Sequence, residues 1–158
     1  MSTNIEKSHE YYMNLALEQA NEALEIDEVP IGALIINEDG DIISKGFNKT
    51  IANNNPCSHA EIEAIIKASD MMANYRLVNL TLYTTVEPCP MCAGAILNSR
   101  IKTVVYGTKE PKTGALGSLF NLFDYQLNHR IEIISGILEN ESRSIIQNFF
   151  KEKRKKKS

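Results

Sequence analysis

Apolar side chains recur every three or four positions between Glu6 and Ile26. Met13, Leu17, Ala20 and Leu24 form the stripe, with Glu18, Glu22 and Glu25 between them. This period predicts an amphipathic helix. It closes at Asp27-Glu28-Val29-Pro30, because Pro30 pushes Val29 out of helical geometry. Gly32 to Asn37 and Asp41 to Asn48 then read as two strands. They are joined by Glu38-Asp39-Gly40, where Gly40 is free to take positive φ, so the pair is a hairpin. A polar loop, Thr50 to Pro56 with three consecutive Asn, feeds a second helix from about His59 to Ser69, with Ile62, Ile65 and Ile66 on one face. Thr81 to Val86 reads as a strand, Cys89 to Ser99 as a helix and Thr103 to Gly107 as a strand. Gly114 to Ser118 reads as a flexible link into the apolar segment Leu119 to Phe123. Ile131 to Ser135 is a last strand and Glu139 to Lys153 a last helix.

Strands alternating with helices of this length imply a sheet covered on both faces, a three-layer α/β/α single domain. The hairpin strands run antiparallel, and the later strands, joined through helices, run parallel. The five strands therefore make a central mixed sheet. The length of 158 residues fits one domain with a real core. There is no internal repeat, and residues 1–150 read as that domain, followed by a basic tail over 151–158.

Composition narrows the class. Apolar residues make up 43% and charged residues 23%, which disfavours disorder, collagen and disulfide frameworks. The longest apolar run, Val29 to Ile36, falls far short of the roughly 18 residues of a membrane span, so no membrane segment is expected. The start, Met-Ser-Thr-Asn-Ile-Glu-Lys, lacks a basic stretch followed by an apolar one, so no signal peptide is expected. The net charge of −3 hides an asymmetry. The last eight residues hold six basic and one acidic residue, leaving 11 basic and 19 acidic ones before them. The tail fits either a solvated end or a phosphate-binding arm. Ten of the acids lie within residues 1–41, and residues 42–150 are nearly balanced, so a nucleic-acid face away from the first helix is compatible with the acidic body.

The chemistry concentrates in His59-Ala60-Glu61 and Pro88-Cys89-Pro90-Met91-Cys92. Three cysteines, two of them close together, point to metal or catalysis in a reducing cytosol before structural disulfides. Two thiolates at Cys-x-x-Cys spacing can clamp one tetrahedral zinc, with His59 as third ligand and the fourth position left for water. Zinc lowers the pKa of such a water from about 15.7 to about 7. Both segments precede apolar helical runs. The ligands should therefore sit at helix N-termini, whose positive ends favour thiolate. Glu61, in the first turn, would carry protons beside the metal. Two other readings stay open on residues alone. Cys57 with His59, Cys89 and Cys92 would close a structural Cys₃His site, and Cys89 with Cys92 would make a redox pair.

The His-x-Glu and Pro-Cys-x-x-Cys pattern resembles the zinc-dependent nucleoside and nucleobase deaminases. Flanking runs are similar to the bacterial tRNA adenosine deaminases within that group. These are Glu28-Val29-Pro30-Ile31-Gly32-Ala33, Val86 to Ala95, Val105-Tyr106-Gly107, Lys112-Thr113-Gly114, Asn128-His129-Arg130, and Phe149-Phe150 with the basic tail. The resemblance runs from about Tyr12 to Lys153. It implies a cytidine deaminase-like fold, one Zn²⁺ per subunit on His59, Cys89 and Cys92, and Glu61 as catalytic proton shuttle. It further implies deamination of the wobble adenosine of tRNA to inosine, a tRNA anticodon stem-loop as partner, a homodimer and a cytoplasmic location. The positions that the family gives to substrate contacts are Asn48, Ala60, Glu110 (where relatives often have Asp), Lys112, Asn128, His129 and Arg130. Two rivals remain. A deaminase of a free guanine or cytosine base or nucleoside would share the zinc chemistry. A non-catalytic RNA-binding zinc module would use Glu61 only to cap its helix.

Overall fold

A computed structural model describes residues 7–157 and orders them as α1 (His9–Glu25), β1 (Gly32–Ile36), β2 (Ile42–Phe47), α2 (Ala60–Met72), β3 (Thr81–Val86), α3 (Pro90–Ser99), β4 (Thr103–Thr108), β5 (Glu132–Ile134) and α4 (Glu139–Lys156). A short 3₁₀ turn covers Leu122–Asp124. The expected helix start at Glu6 lies outside the described residues. Within them, Ser8 caps α1, its hydroxyl accepting the Tyr11 N–H at 3.2 Å.

The five strands lie in the order β2-β1-β3-β4-β5. β1 pairs antiparallel with β2 and with β3, while β4 runs parallel to both β3 and β5, so the sheet is mixed as expected. The hairpin turn has Gly40 at φ +84°, and the Asn37 side chain accepts the N–H groups of Asp39 and Asp41. One sheet face packs on α1 and α4, through Leu34, Ile36, Tyr83 and Val105. The other packs on α2 and α3, through Ala33, Ile35, Leu82 and Val104.

The apolar stripes hold only in part: Met13 and Ala20 of the α1 stripe are buried, but other inward positions are small residues off the stripes. In α1 the buried positions include Ala16, Ala20 and Ala23, while Leu24 is 41% exposed. In α2 they are Ala60, Glu61, Ala64 and Ala68, and Ile66 is 53% exposed. The reason is close approach. A Cβ on Gly32 of β1 would run into the α1 backbone at Ala16, and one on Gly46 of β2 would lie 2.5 Å from the Ala60 carbonyl of α2. Helices this near the sheet accept only small residues on the facing ridge.

Two further expectations change. The segment Gly114 to Ser118 is tied down: Leu116 and Ser118 donate their N–H groups to the buried Glu87, and Ala115 donates to the Pro88 carbonyl at 2.9 Å. Helix α4 continues to Lys156, so most of the basic stretch after residue 150 is helical. Lys153 to Lys156 lie at its C-terminus, where the helix dipole favours positive charge. Phe149 is buried, and Lys153 pairs with Asp27 just past α1. Among the described residues, no helix is long and apolar enough to cross a membrane.

Candidate metal and catalytic site

Two helix starts build the site. His59 is the N-cap of α2 and Cys89 the N-cap of α3, both extended (φ −74°, ψ 157° and φ −75°, ψ 174°). Pro90 follows Cys89 at the first helical position, where a missing N–H costs nothing and the fixed φ suits the helix. Cys92, one turn on, is fully buried. The Cys-x-x-Cys spacing thus brings both sulfurs to the same end of α3, facing the His59 ring.

His59 Nδ1 lies 3.6 Å from Cys89 Sγ and 3.5 Å from Cys92 Sγ, and the three donor atoms fall within 4.8 Å of one another. Nitrogen and sulfur bound tetrahedrally to zinc at about 2.05 and about 2.3 Å stand about 3.5 Å apart. The group therefore has the size and donor chemistry to hold a metal ion. Cys57 is exposed and outside it, its N–H bonded to the Asn55 side chain, so the geometry does not make the closed Cys₃His set.

The electrostatics favour a thiolate at Cys89. A hydrogen bond from Cys92, with further help from His59, lowers the Cys89 pKa to about 4. The Cys92 thiol, which supplies that hydrogen bond and is buried, is pushed up. His59 is raised, chiefly by its hydrogen bond with Cys89. Glu61, 4% exposed in the first turn of α2, has its carboxyl pushed up by burial, opposed by a hydrogen bond with Cys92. A buried acid with a raised pKa beside a candidate metal group is suited to carrying protons.

The other expected residues fall into two sets. Asn48, 5% exposed, follows β2; its backbone N–H donates to Ile31, and its side-chain amide has no hydrogen-bond partner among the described residues. Ala60 is fully buried beside His59. Glu110 and Lys112 sit in the loop after β4, and the Glu110 carboxyl accepts the Lys112 N–H at 3.1 Å. Lys112 also lines a cleft of about 660 Å³ against α4, with Gln147, Phe150, Lys151 and Arg154. Asn128 and His129 are placed elsewhere. Asn128 accepts from Arg100 at 3.0 Å, and His129 bonds the Ile101 carbonyl at 2.8 Å. Both partners lie at the end of α3 opposite the cysteines. Arg130, next in the chain, is exposed.

Sequence reasoning passed over two buried acids. Glu28 (1% exposed) accepts the Ile51 N–H at 2.9 Å, and Glu87 (2% exposed) collects donors from the loop after β4. The available signal was an acid set directly against an apolar strand and a proline, as in Val86-Glu87-Pro88.

Residues 7–154 match the profile of the MafB19-like deaminases. The chain is 46% identical over 149 residues to the tRNA-specific adenosine deaminase of Haemophilus influenzae, covering 94% of this chain and 86% of that one. It is similar to a solved structure from work on A-to-I editing by tRNA:A34 deaminases at the wobble position of transfer RNA. That match has a TM-score of 0.83 and 40% identity, covering 85% of this chain and 98% of the other. A guanine deaminase from Nitrosomonas europaea shares the fold at TM-score 0.76, with 22% identity over 90% of this chain and 84% of its own.

Proposed function

The chain belongs to the deaminases, within the tRNA-specific adenosine deaminase family, and from that premise we propose that it converts the wobble adenosine of a tRNA hydrolytically to inosine. The observation that carries the reading is the His59–Cys89–Cys92 group with buried Glu61 in the adjoining helical turn.

His59, Cys89 and Cys92 would hold one zinc ion per chain. When bound, zinc supplies a Lewis acid that brings the pKa of a water near 7. Glu61 takes a proton from the attacking water and delivers it to N1 of the adenine ring. It then takes the second proton, from the hydroxyl now on carbon 6, and passes it to the amino group; the carbon–nitrogen bond breaks, ammonia leaves and the carbon 6 carbonyl of inosine forms. The Asn48 amide, without a hydrogen-bond partner among the described residues, would meet the base edge. Glu110 and Lys112 serve ribose and phosphate next to the target. Arg130, exposed after His129, serves RNA beyond the target nucleotide. An anticodon loop is single-stranded, so extruding its base costs less than flipping one from a duplex. The basic face of α4 supplies phosphate contacts. The same reading includes a cytoplasmic location and a homodimer, supported by the apolar area that Ile66, Met71, Met72 and Tyr75 leave exposed.

The test is inosine formation by purified, zinc-loaded protein on an anticodon stem-loop and on free adenosine. We expect inosine in the stem-loop. Glu61→Gln should keep zinc and RNA binding while kcat falls about 10²- to 10⁴-fold. No inosine from the wild type, or an undiminished Glu61→Gln enzyme, would overturn the reading. Activity on the free nucleoside alone would replace the substrate.

A further inference from the structure

Glu87 stands two residues before Cys89, buried, and its carboxyl group meets only donors. Oε1 accepts the Glu110 N–H at 3.1 Å and the Ser118 hydroxyl. Oε2 accepts the N–H groups of Leu116 and Ser118, each at 3.0 Å. Its own N–H donates to Thr108 at the end of β4, and the neighbouring Pro88 carbonyl receives Ala115. Gly114 has no room for a side chain, because a Cβ there would collide with the Glu87 carboxyl. The loop 110–118 is therefore wrapped around one acid that belongs to the cysteine-bearing segment. That loop carries Glu110 and Lys112.

We infer that Glu87 is a positioning residue for the substrate: it fixes the loop 110–118, and with it Glu110 and Lys112, at a set distance from the candidate metal group. The inference rests on the stem-loop reading above. The metal ligands need no such help, since His59 and both cysteines are placed by two helix starts. Glu87 instead couples the segment between β3 and Cys89 to the loop, adding to the hold of the buried Ala115 and Leu116. The role requires two acceptor oxygens. Glutamine has the same shape but only one, and either orientation of its amide turns a donor toward at least one loop N–H. A buried N–H left without an acceptor is costly enough to unseat the loop.

The experiment compares zinc-loaded wild type and Glu87→Gln for zinc stoichiometry, anticodon stem-loop affinity, KM and kcat. The expected result is Kd and KM raised about tenfold, kcat within about threefold, and zinc still one per chain. A purely structural role would lower the melting temperature without separating KM from kcat. Unchanged Kd and KM in the folded variant, loss of zinc, or a fall in kcat alone would each overturn the inference. If Glu87→Gln does not fold, Ser118→Ala answers the same question by deleting one donor from the loop side. It should raise KM about threefold, and an unchanged KM overturns the inference. A wild type that neither binds nor edits the stem-loop defeats the function reading itself. A wild type that edits, beside an indistinguishable Glu87→Gln, defeats only this inference.

Discussion

The distance between the sheet and α2 sets the geometry of the candidate metal site, and Gly46→Ala tests this. The new Cβ would lie 2.5 Å from the Ala60 carbonyl oxygen, 2.7 Å from the Ala64 nitrogen and 3.0 Å from Glu63 Cβ. Two of these are backbone atoms of α2, so no flexible side chain can swing clear. Restoring ordinary contact near 3.4 Å requires α2 to move outward by about 0.9 Å. Overpacking of this kind costs about 1–3 kcal/mol, and at about 2–4 °C per kcal/mol for a chain of this size the melting temperature falls by about 2–12 °C. His59 caps α2 and Glu61 lies in its first turn, whereas Cys89 and Cys92 ride on α3. Metal–ligand distances tolerate only about 0.2 Å, so a displaced His59 should weaken zinc about 10- to 100-fold. Gly32→Ala is the control. It drives a Cβ into the α1 backbone at Ala16, and α1 carries none of the proposed site residues. Thermal unfolding and chelator competition for zinc are measured on both variants. Both should lose stability, and only Gly46→Ala should lose zinc affinity. Equal zinc affinity in Gly46→Ala and wild type, or an equal loss in Gly32→Ala, would refute the reasoning.

Cys57→Ser should leave one zinc per chain and wild-type activity, because Cys57 is exposed and outside the His59–Cys89–Cys92 group; elemental analysis of the purified protein checks it, and loss of zinc would restore the closed four-ligand site. Lys151→Ala and Arg154→Ala, on the cleft shared with Lys112, should each weaken stem-loop binding and reduce the slope of log K against log salt by about 0.7 per lost phosphate contact. Binding isotherms at several salt concentrations measure that slope, and unchanged slopes in both variants would remove α4 from the RNA face.

The site's legibility followed from how local its causes are. Cys-x-x-Cys before a helix, and His-x-Glu before another, state their geometry within a few residues. The alternation of strand and helix likewise carried the layers and the mixed sheet. The inward faces of α1 and α2 were read only in part (Met13 and Ala20 are buried as expected), because the rest of the cause lies in other elements: Gly32 and Gly46 draw the helices so near that Ala16 and Ala64 face the sheet, and Leu24 and Ile66 are turned out. A periodicity argument weighs Leu above Ala and cannot see that an approaching backbone reverses the preference. Glu87 shows the same limit at the site. Its donors lie 23 to 31 residues away, so the segment they belong to looked like a free Gly-Ser link. Asn128 and His129 sit in a motif the resemblance placed near the RNA; in the fold their side chains bond Arg100 and Ile101 at the end of α3, a placement their own stretch of chain does not state. Chemistry written into a short stretch of chain is legible from that stretch, whereas the placing of a loop by a distant buried acid is not. That difference is why Glu61, the proposed proton carrier, could be picked out from the sequence, while Glu87 and the loop it holds emerged only from the fold.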